Sequence, residues 1–178
     1  VKNAVVTAIA DPFMNDETKA FCEGFGVEKI YTDYKKIIED ETIDAVLVCS
    51  STDTHAPISI EAINAGKHVF CEKPITINYE LSCEMADAAN KAGKMLNIGV
   101  CNRYHKSVEK LEEMYREGKF GNLYHVYCSF RSFRSLPGLG GAFTTKSQSG
   151  GGVLIDWGVH FFDLIIYILG GAKLKSLT

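Results

Sequence analysis

The densest set of chemistry-bearing residues lies in Gly150-Gly151-Gly152-Val153-Leu154-Ile155-Asp156-Trp157-Gly158-Val159-His160-Phe161-Phe162-Asp163-Leu164. At about 100° per residue, Asp156, His160 and Asp163 fall within roughly 60° of one another on a helix that is otherwise almost wholly apolar. Polar groups on a buried helix need partners or a job. A carboxylate one turn from an imidazole can hold its tautomer and favour its protonated form, as a general base accepting an alcohol proton requires. A plainer account of the same residues has Asp156 capping the helix and His160 bonding a backbone carbonyl. The spacing also permits a metal site of Asp156, His160 and Asp163, although no further ligand cluster accompanies it.

A second segment, His68-Val69-Phe70-Cys71-Glu72-Lys73-Pro74, puts Glu72 and Lys73 where a parallel strand ends, with Pro74 fixing the chain direction beyond them. A lysine at that edge can polarise a hydroxyl or carbonyl oxygen; an ordinary surface lysine is the alternative. Asp11, at the end of the first visible strand, has the type and place of the acidic residue that bonds the adenosine ribose hydroxyls in a dinucleotide fold. The glycine fingerprint that should lie about 20 residues earlier would fall before Val1, and Gly24-Phe25-Gly26 is no substitute. The stretch Ser50-Ser51-Thr52-Asp53-Thr54-His55-Ala56-Pro57 joins a strand to a helix, so its hydroxyls and amides can face a ribose or phosphate, or serve only as a cap.

The elements that must position these residues alternate. Residues 4–10, 44–50, 68–71 and 95–100 read as strands, the second apolar on both faces as in a central parallel strand. Between them run amphipathic helices, one capped by Asn15, a short one capped by Thr32, one carrying Ile58 to Ile63 with Pro57 in its first turn, and one capped by Asn78 and stopped by Gly93. This is the pattern of a doubly wound α/β sheet. After Cys101 a helix carries Val108, Leu111, Met114 and Tyr115 as far as Gly118. Residues 123–131 then alternate, with Tyr124, Val126, Cys128 and Phe130 on one face and Leu123, His125, Tyr127, Ser129 and Arg131 on the other, as a half-polar strand of an antiparallel sheet does. We therefore expect a domain boundary near residue 101, giving domains over 1–101 and 102–178. Residues 135–152 read as a long loop of the kind that borders active sites.

Composition excludes several classes. The chain has 178 residues, 46% hydrophobic and 23% charged, enough to bury a core. A formal charge of −3 from 19 basic and 22 acidic side chains leaves no basic stripe for nucleic acid. No segment reaches the ~18 consecutive apolar residues of a membrane helix. The six cysteines contain no Cys-x-x-Cys pair and sit mostly in apolar runs, which suits a reducing, cytoplasmic compartment.

Together these segments resemble the Gfo/Idh/MocA family of nicotinamide-dependent sugar and polyol oxidoreductases. The resemblance is carried by Asp11, Thr54-His55-Ala56, Ala65-Gly66-Lys67-His68-Val69-Phe70-Cys71-Glu72-Lys73-Pro74, residues 99–103 and the glycine-led stretch to Asp163. It implies a Rossmann domain followed by part of an α+β domain with a largely antiparallel open sheet. The family's glycine-rich phosphate loop and first strand would precede Val1, and its closing strands would follow Thr178. Lys73, Asp156 and His160 match the family's catalytic lysine, aspartate and histidine. Asp11, Ser51, Thr52, His55, Glu72, Lys73 and Pro74 fall on the cofactor side, with Asp11 favouring NAD over NADP. Arg103, Tyr104, Trp157 and Asp163 fall on the substrate side.

The implied activity is hydride transfer between the nicotinamide and a hydroxyl-bearing carbon of a sugar, inositol or related polyol. The same scaffold admits an enzyme that retains NAD through a redox-neutral glycosidase or epimerase cycle, or a sugar or dinucleotide sensor without catalysis. A homo-oligomer, dimer or tetramer, is implied as well, with Leu123, His125 and Tyr127 as its candidate surface.

Overall fold

The computed structural model describes residues 3–131, 140–171, 173, 175 and 176. The first half builds five short parallel strands, β1 (Ala8–Ala10), β2 (Lys29–Tyr31), β3 (Ala45–Val48), β4 (His68–Cys71) and β5 (Leu96–Ile98). They alternate with α1 (Asp16–Gly24), α2 (Lys35–Glu39), α3 (Thr52–Asn64) and α4 (Tyr79–Ala92). The helix ends follow local chemistry. Asn15 and Asn78 accept from Thr18 N–H and Leu81 N–H at 2.9 Å, and Gly93 closes α4 in the left-handed conformation at φ 63°.

The strands form two sheets, β1-β2 and β3-β4-β5, where one was expected. In the larger sheet Val46, Val48, Val69 and Cys71 face a core made by Ala56, Ala62 and Ile63 of α3 with Met85 and Ala89 of α4. The opposite face is bare among the described residues, with Leu47 at 67% exposure, so β3 is not covered on both faces as its sequence suggests.

Three further expectations change. β1 starts at Ala8 rather than residue 4, and Val5 and Val6 are exposed. Thr32 does not cap α2, which begins after Tyr34; Asp33 instead accepts from Lys35 N–H at 2.9 Å. Pro57 lies inside α3, beyond its first turn, because the helix begins at Thr52.

Beyond residue 101 come a 3₁₀ turn (Cys101–Tyr104), α5 (Lys106–Arg116), a second 3₁₀ turn (Ala142–Thr144), α6 (Lys146–Ser149), a π-helical turn (Leu154–Gly158) and α7 (Val159–Ile168). The long loop thus contains short helices over its described part, and residues 135–139 lie outside the described residues. Residues 123–131 form no ladder: a strand needs a partner for its backbone groups, and the described residues supply none. Tyr124, expected on the inward face, is 96% exposed. By length and composition alone, the stretch Lys146–Ile168 is apolar enough to cross a membrane. Its two acidic residues, Asp156 and Asp163, are ion-paired with Lys73 of the α/β half and with Arg103 in the turn after β5.

Candidate active site

The site forms where β4 ends. Glu72 N–H still donates to Val48 O at 2.9 Å, and Gly99 N–H donates to Cys71 O at 2.8 Å, so the parallel ladder carries one residue past β4 before the chain turns away. Lys73 leaves the sheet there and crosses to the second half. Its Nζ donates to Asp156 Oδ1 at 2.7 Å and to the Asp156 carbonyl at 3.0 Å. An ammonium has three N–H donors, so two are committed to Asp156 and one is left to address a substrate oxygen.

Asp156 sits in the π-helical turn, whose wider winding changes the angular offset from His160 that a regular α-helix would give. The Asp156 carboxylate therefore serves Lys73 and does not hold the His160 tautomer, which corrects the sequence expectation. His160 is buried, and its Nδ1 has no hydrogen-bond partner. Burial pushes its pKa below the usual imidazole value and the positive charge of Lys73 pushes the same way, against smaller opposing contributions from Asp156, Asp163 and Glu72. The direction is opposite to the expected favoured imidazolium: burial and Lys73 favour the neutral ring, the form that can take a proton.

Trp157 and Phe130 stack at 4.4 Å between ring centroids, and Trp157 lies 5.8 Å from the His160 ring. Phe130 was not singled out by its sequence position. Its aromatic type in an alternating run is the signal that was available.

On the cofactor side, the Glu72 carboxylate accepts from Lys73 N–H at 3.1 Å and lies against Gly99, where an added Cβ would come within 3.0 Å of Oε1. A Cβ there would be a tight contact to which the free end of the Glu72 side chain would have to yield. Ser51 is the N-cap residue of α3, its carbonyl accepting from Thr54 N–H, with Thr52 opening the helix. Asp11 closes a tight turn after β1, its Oδ1 accepting from Phe13 N–H at 2.8 Å. Asp11, Ser51, Thr52, Glu72 and Lys73 thus follow the carboxyl ends of three parallel strands, the edge at which such folds bind ligands.

Two sets of expected ligand-binding residues meet partners within the protein. His55 is 1% exposed, with Nδ1 2.8 Å from Pro74 O and Nε2 3.1 Å from Ser50 O. It is packed behind the site and does not present its ring to a cofactor; Pro74 contributes its carbonyl to that inner contact. Arg103 and Asp163, expected on the substrate side, pair with each other. Arg103 Nε donates to Asp163 Oδ2 at 2.7 Å, Nη2 donates to Oδ1, and the guanidinium lies 5.2 Å from the Tyr167 ring centroid. This pair raises the Arg103 pKa and fastens α7 to the turn after β5. Tyr104 is exposed. The metal alternative also falls: among the described residues no three His, Cys, Asp or Glu side chains converge, and both aspartates are committed to cations.

The family profile described as "Oxidoreductase family, NAD-binding Rossmann fold" matches residues 1–100, and the profile of the "GFO/IDH/MocA C-terminal domain" matches residues 108–177. The chain belongs to the Gfo/Idh/MocA family of oxidoreductases, with an α/β fold of Rossmann type in its first half. It is 35% identical over 170 residues to a myo-inositol 2-dehydrogenase of Thermotoga maritima, covering 96% of this chain and 49% of that protein. It is 33% identical over 173 residues to the D-glucoside 3-dehydrogenase of Escherichia coli, covering 97% and 49%. A crystal structure of a probable dehydrogenase from Thermotoga maritima superposes with a TM-score of 0.77 at 34% identity, covering 95% of this chain and 49% of that one. The chain spans about half the length of the curated relatives it matches.

Proposed function

We propose that the protein oxidises a hydroxyl-bearing carbon of an inositol or sugar with NAD, and that Lys73, Asp156 and His160 are its catalytic residues. The observation that carries the reading is the Lys73–Asp156 pair beside a buried His160 whose surroundings lower its pKa. The cofactor, when bound, supplies the hydride acceptor. Asp11, Ser51, Thr52, Glu72 and Lys73 are the residues that would hold it, and the absence of a side chain at Gly99 keeps Glu72 at that edge. A carboxylate at Asp11 repels the extra phosphate of NADP, which supports NAD.

The work of this chain is proton handling and orientation. Lys73 Nζ, fixed at two points by Asp156, turns its remaining N–H toward the substrate oxygen and stabilises the negative charge that develops there. His160 takes the hydroxyl proton. Trp157, held by Phe130, forms an aromatic wall next to His160, and the exposed Tyr104 is free to meet a substrate. Arg103 and Asp163 act through their pair, which sets the position of α7. The domain division near residue 101 belongs to this reading, as do a cytoplasmic location and subunit association through Leu123, His125 and Tyr127. The six free cysteines and the exposure of Tyr127 support those two points.

In the full-length protein with myo-inositol or a D-glucoside, stoichiometric NADH should accumulate, read by its near-ultraviolet absorbance. His160→Ala should lower turnover by about two decades or more. Near-normal turnover in that variant would remove the assignment. Glycoside cleavage without NADH would replace net oxidation by the redox-neutral cycle; the dehydrogenase names of the relatives favour net oxidation.

A further inference from the structure

His55 is a buried titratable group that the proposed chemistry does not use. It lies in the first turns of α3 and is 1% exposed. Its two ring nitrogens face two carbonyl oxygens, Pro74 O at 2.8 Å and Ser50 O at 3.1 Å. Carbonyls only accept, and a neutral imidazole carries a single N–H. The shorter contact favours Nδ1 as the donor and Pro74 O as its acceptor, a tautomer that the substitutions below test.

The backbone around Lys73 makes this bond consequential. The parallel ladder ends at Glu72, and Pro74 has no N–H with which to extend it. Among the described residues, the backbone of residues 73–76 makes two hydrogen bonds. One is from Lys73 N–H to the flexible Glu72 side chain, and the other is from His55 to Pro74 O. The second alone ties this segment to a packed helix, since α3 is anchored in the core by Ala56, Ala62 and Ile63. We propose that His55 is a positioning residue for Lys73: by holding the carbonyl of the next residue from a buried ring, it fixes where the Lys73 side chain starts and so keeps Nζ on Asp156. This rests on Lys73 being catalytic in the proposed function, and the experiment separates the two.

The substitutions test which ring nitrogen matters. An asparagine amide nitrogen falls near the place of Nδ1 and can still donate to Pro74 O. A glutamine amide nitrogen reaches the place of Nε2 and serves Ser50, and phenylalanine keeps the ring without a donor. In cofactor-free full-length protein, the rate at which Lys73 is acetylated by acetic anhydride, read by mass spectrometry, reports how firmly Nζ is held. His55→Phe and His55→Gln should raise that rate several-fold, and His55→Asn should leave it near the parent's. With NAD and myo-inositol, kcat should fall about tenfold in His55→Phe and His55→Gln, the effect of one lost hydrogen bond, and recover in His55→Asn. The NAD dissociation constant should stay put in all three.

Equal labelling in parent, His55→Phe and His55→Gln overturns the proposal, as does a uniform loss in all three variants. If His55→Phe does not fold, the contrast between Asn and Gln decides alone. Lys73→Ala is the control for the underlying reading. Unchanged turnover in that variant removes the catalytic role of Lys73, while the labelling comparison still decides whether His55 positions it.

Discussion

The two halves of the chain hold their residues in different ways. Among the described residues, every buried apolar side chain except Val108 lies before residue 101. There Ile63 and Met85 are fully buried between helices and sheet, and the strand ends are fixed by a packed core. In the second half the helix that carries His160 exposes Phe162 and Ile166; its described links include the ion pair Lys73–Asp156 to the first half and Arg103–Asp163 to the turn just past residue 101. The first half therefore sets geometry by packing, and the second receives it through charge. A site built across both should be sensitive to chemistry at the pairs and to volume in the core, and tolerant elsewhere.

The largest effect is expected at the link itself. Lys73→Met should lower turnover of the full-length protein by about two to four decades, because it removes the group that stabilises charge on the substrate oxygen. It also tests the electrostatics directly. The Lys73 charge lowers the His160 pKa, so its removal should move that pKa upward, read from the pH dependence of the His160 Cε1–H resonance. A base works only when deprotonated, so the parent's acid limb of kcat/KM should lie below the ordinary imidazole value. A His160 titration that stays in place in Lys73→Met would break the link between the halves.

The core should respond almost as strongly, in a different quantity. Ile63→Ala deletes a fully buried side chain from the α3 face, and should cost about 2–5 kcal/mol in denaturant unfolding of the first half's transition. The same truncation at Phe162, 43% exposed, should cost far less. Comparable losses at the two positions would mean that the second half has a core of its own.

How legible this was follows the same division. Alternation of apolar runs and caps placed four of the five strands and the helices of the first half because each is specified locally: Asn15 and Asn78 cap as their types predict, and Gly93 stops α4, whereas β2, three residues long, carries no such pattern. Lys73, Asp156 and His160 were legible as residue types at suggestive spacings. Their pairing was not, because a regular helical period cannot anticipate the π-helical turn that separates Asp156 from His160. The protein partners of His55 and Arg103 were not legible, because partners 19 and 60 residues away leave no trace in local spacing. Residues 123–131 have the alternation of a strand, but alternation alone does not supply a neighbouring strand to pair with.

A smaller effect is expected where the first half shapes the cofactor edge without touching the proton. Gly99→Ala brings a Cβ to about the closest tolerable distance from the Glu72 carboxylate, 3.0 Å from Oε1 and 3.1 Å from Oε2. The carboxylate is the free end of a flexible side chain, so it should swing away, and the bond from Lys73 N–H to Glu72 Oε2 should go with it. One lost hydrogen bond corresponds to roughly a two- to tenfold change. We expect that rise in the KM for NAD, with kcat close to the parent's. A fall in kcat with KM unchanged would place Glu72 with the proton-handling groups instead of the cofactor.

The smallest effect is expected at Tyr124, in the half that lacks a described core. Its side chain is 96% exposed, and residues 123–131 make no ladder, so Tyr124→Ser removes little packing from the described fold. Its cost in denaturant unfolding should fall within about 0.5 kcal/mol, as for other surface changes. The measurement is most informative at two protein concentrations. A loss above about 1 kcal/mol that grows on dilution would show that this face is covered by a second copy in solution, since association stabilises the folded state by mass action. A loss of that size at both concentrations would show that the segment is covered within one chain, and the contrast between a packed first half and a charge-held second half would then apply only to the described residues.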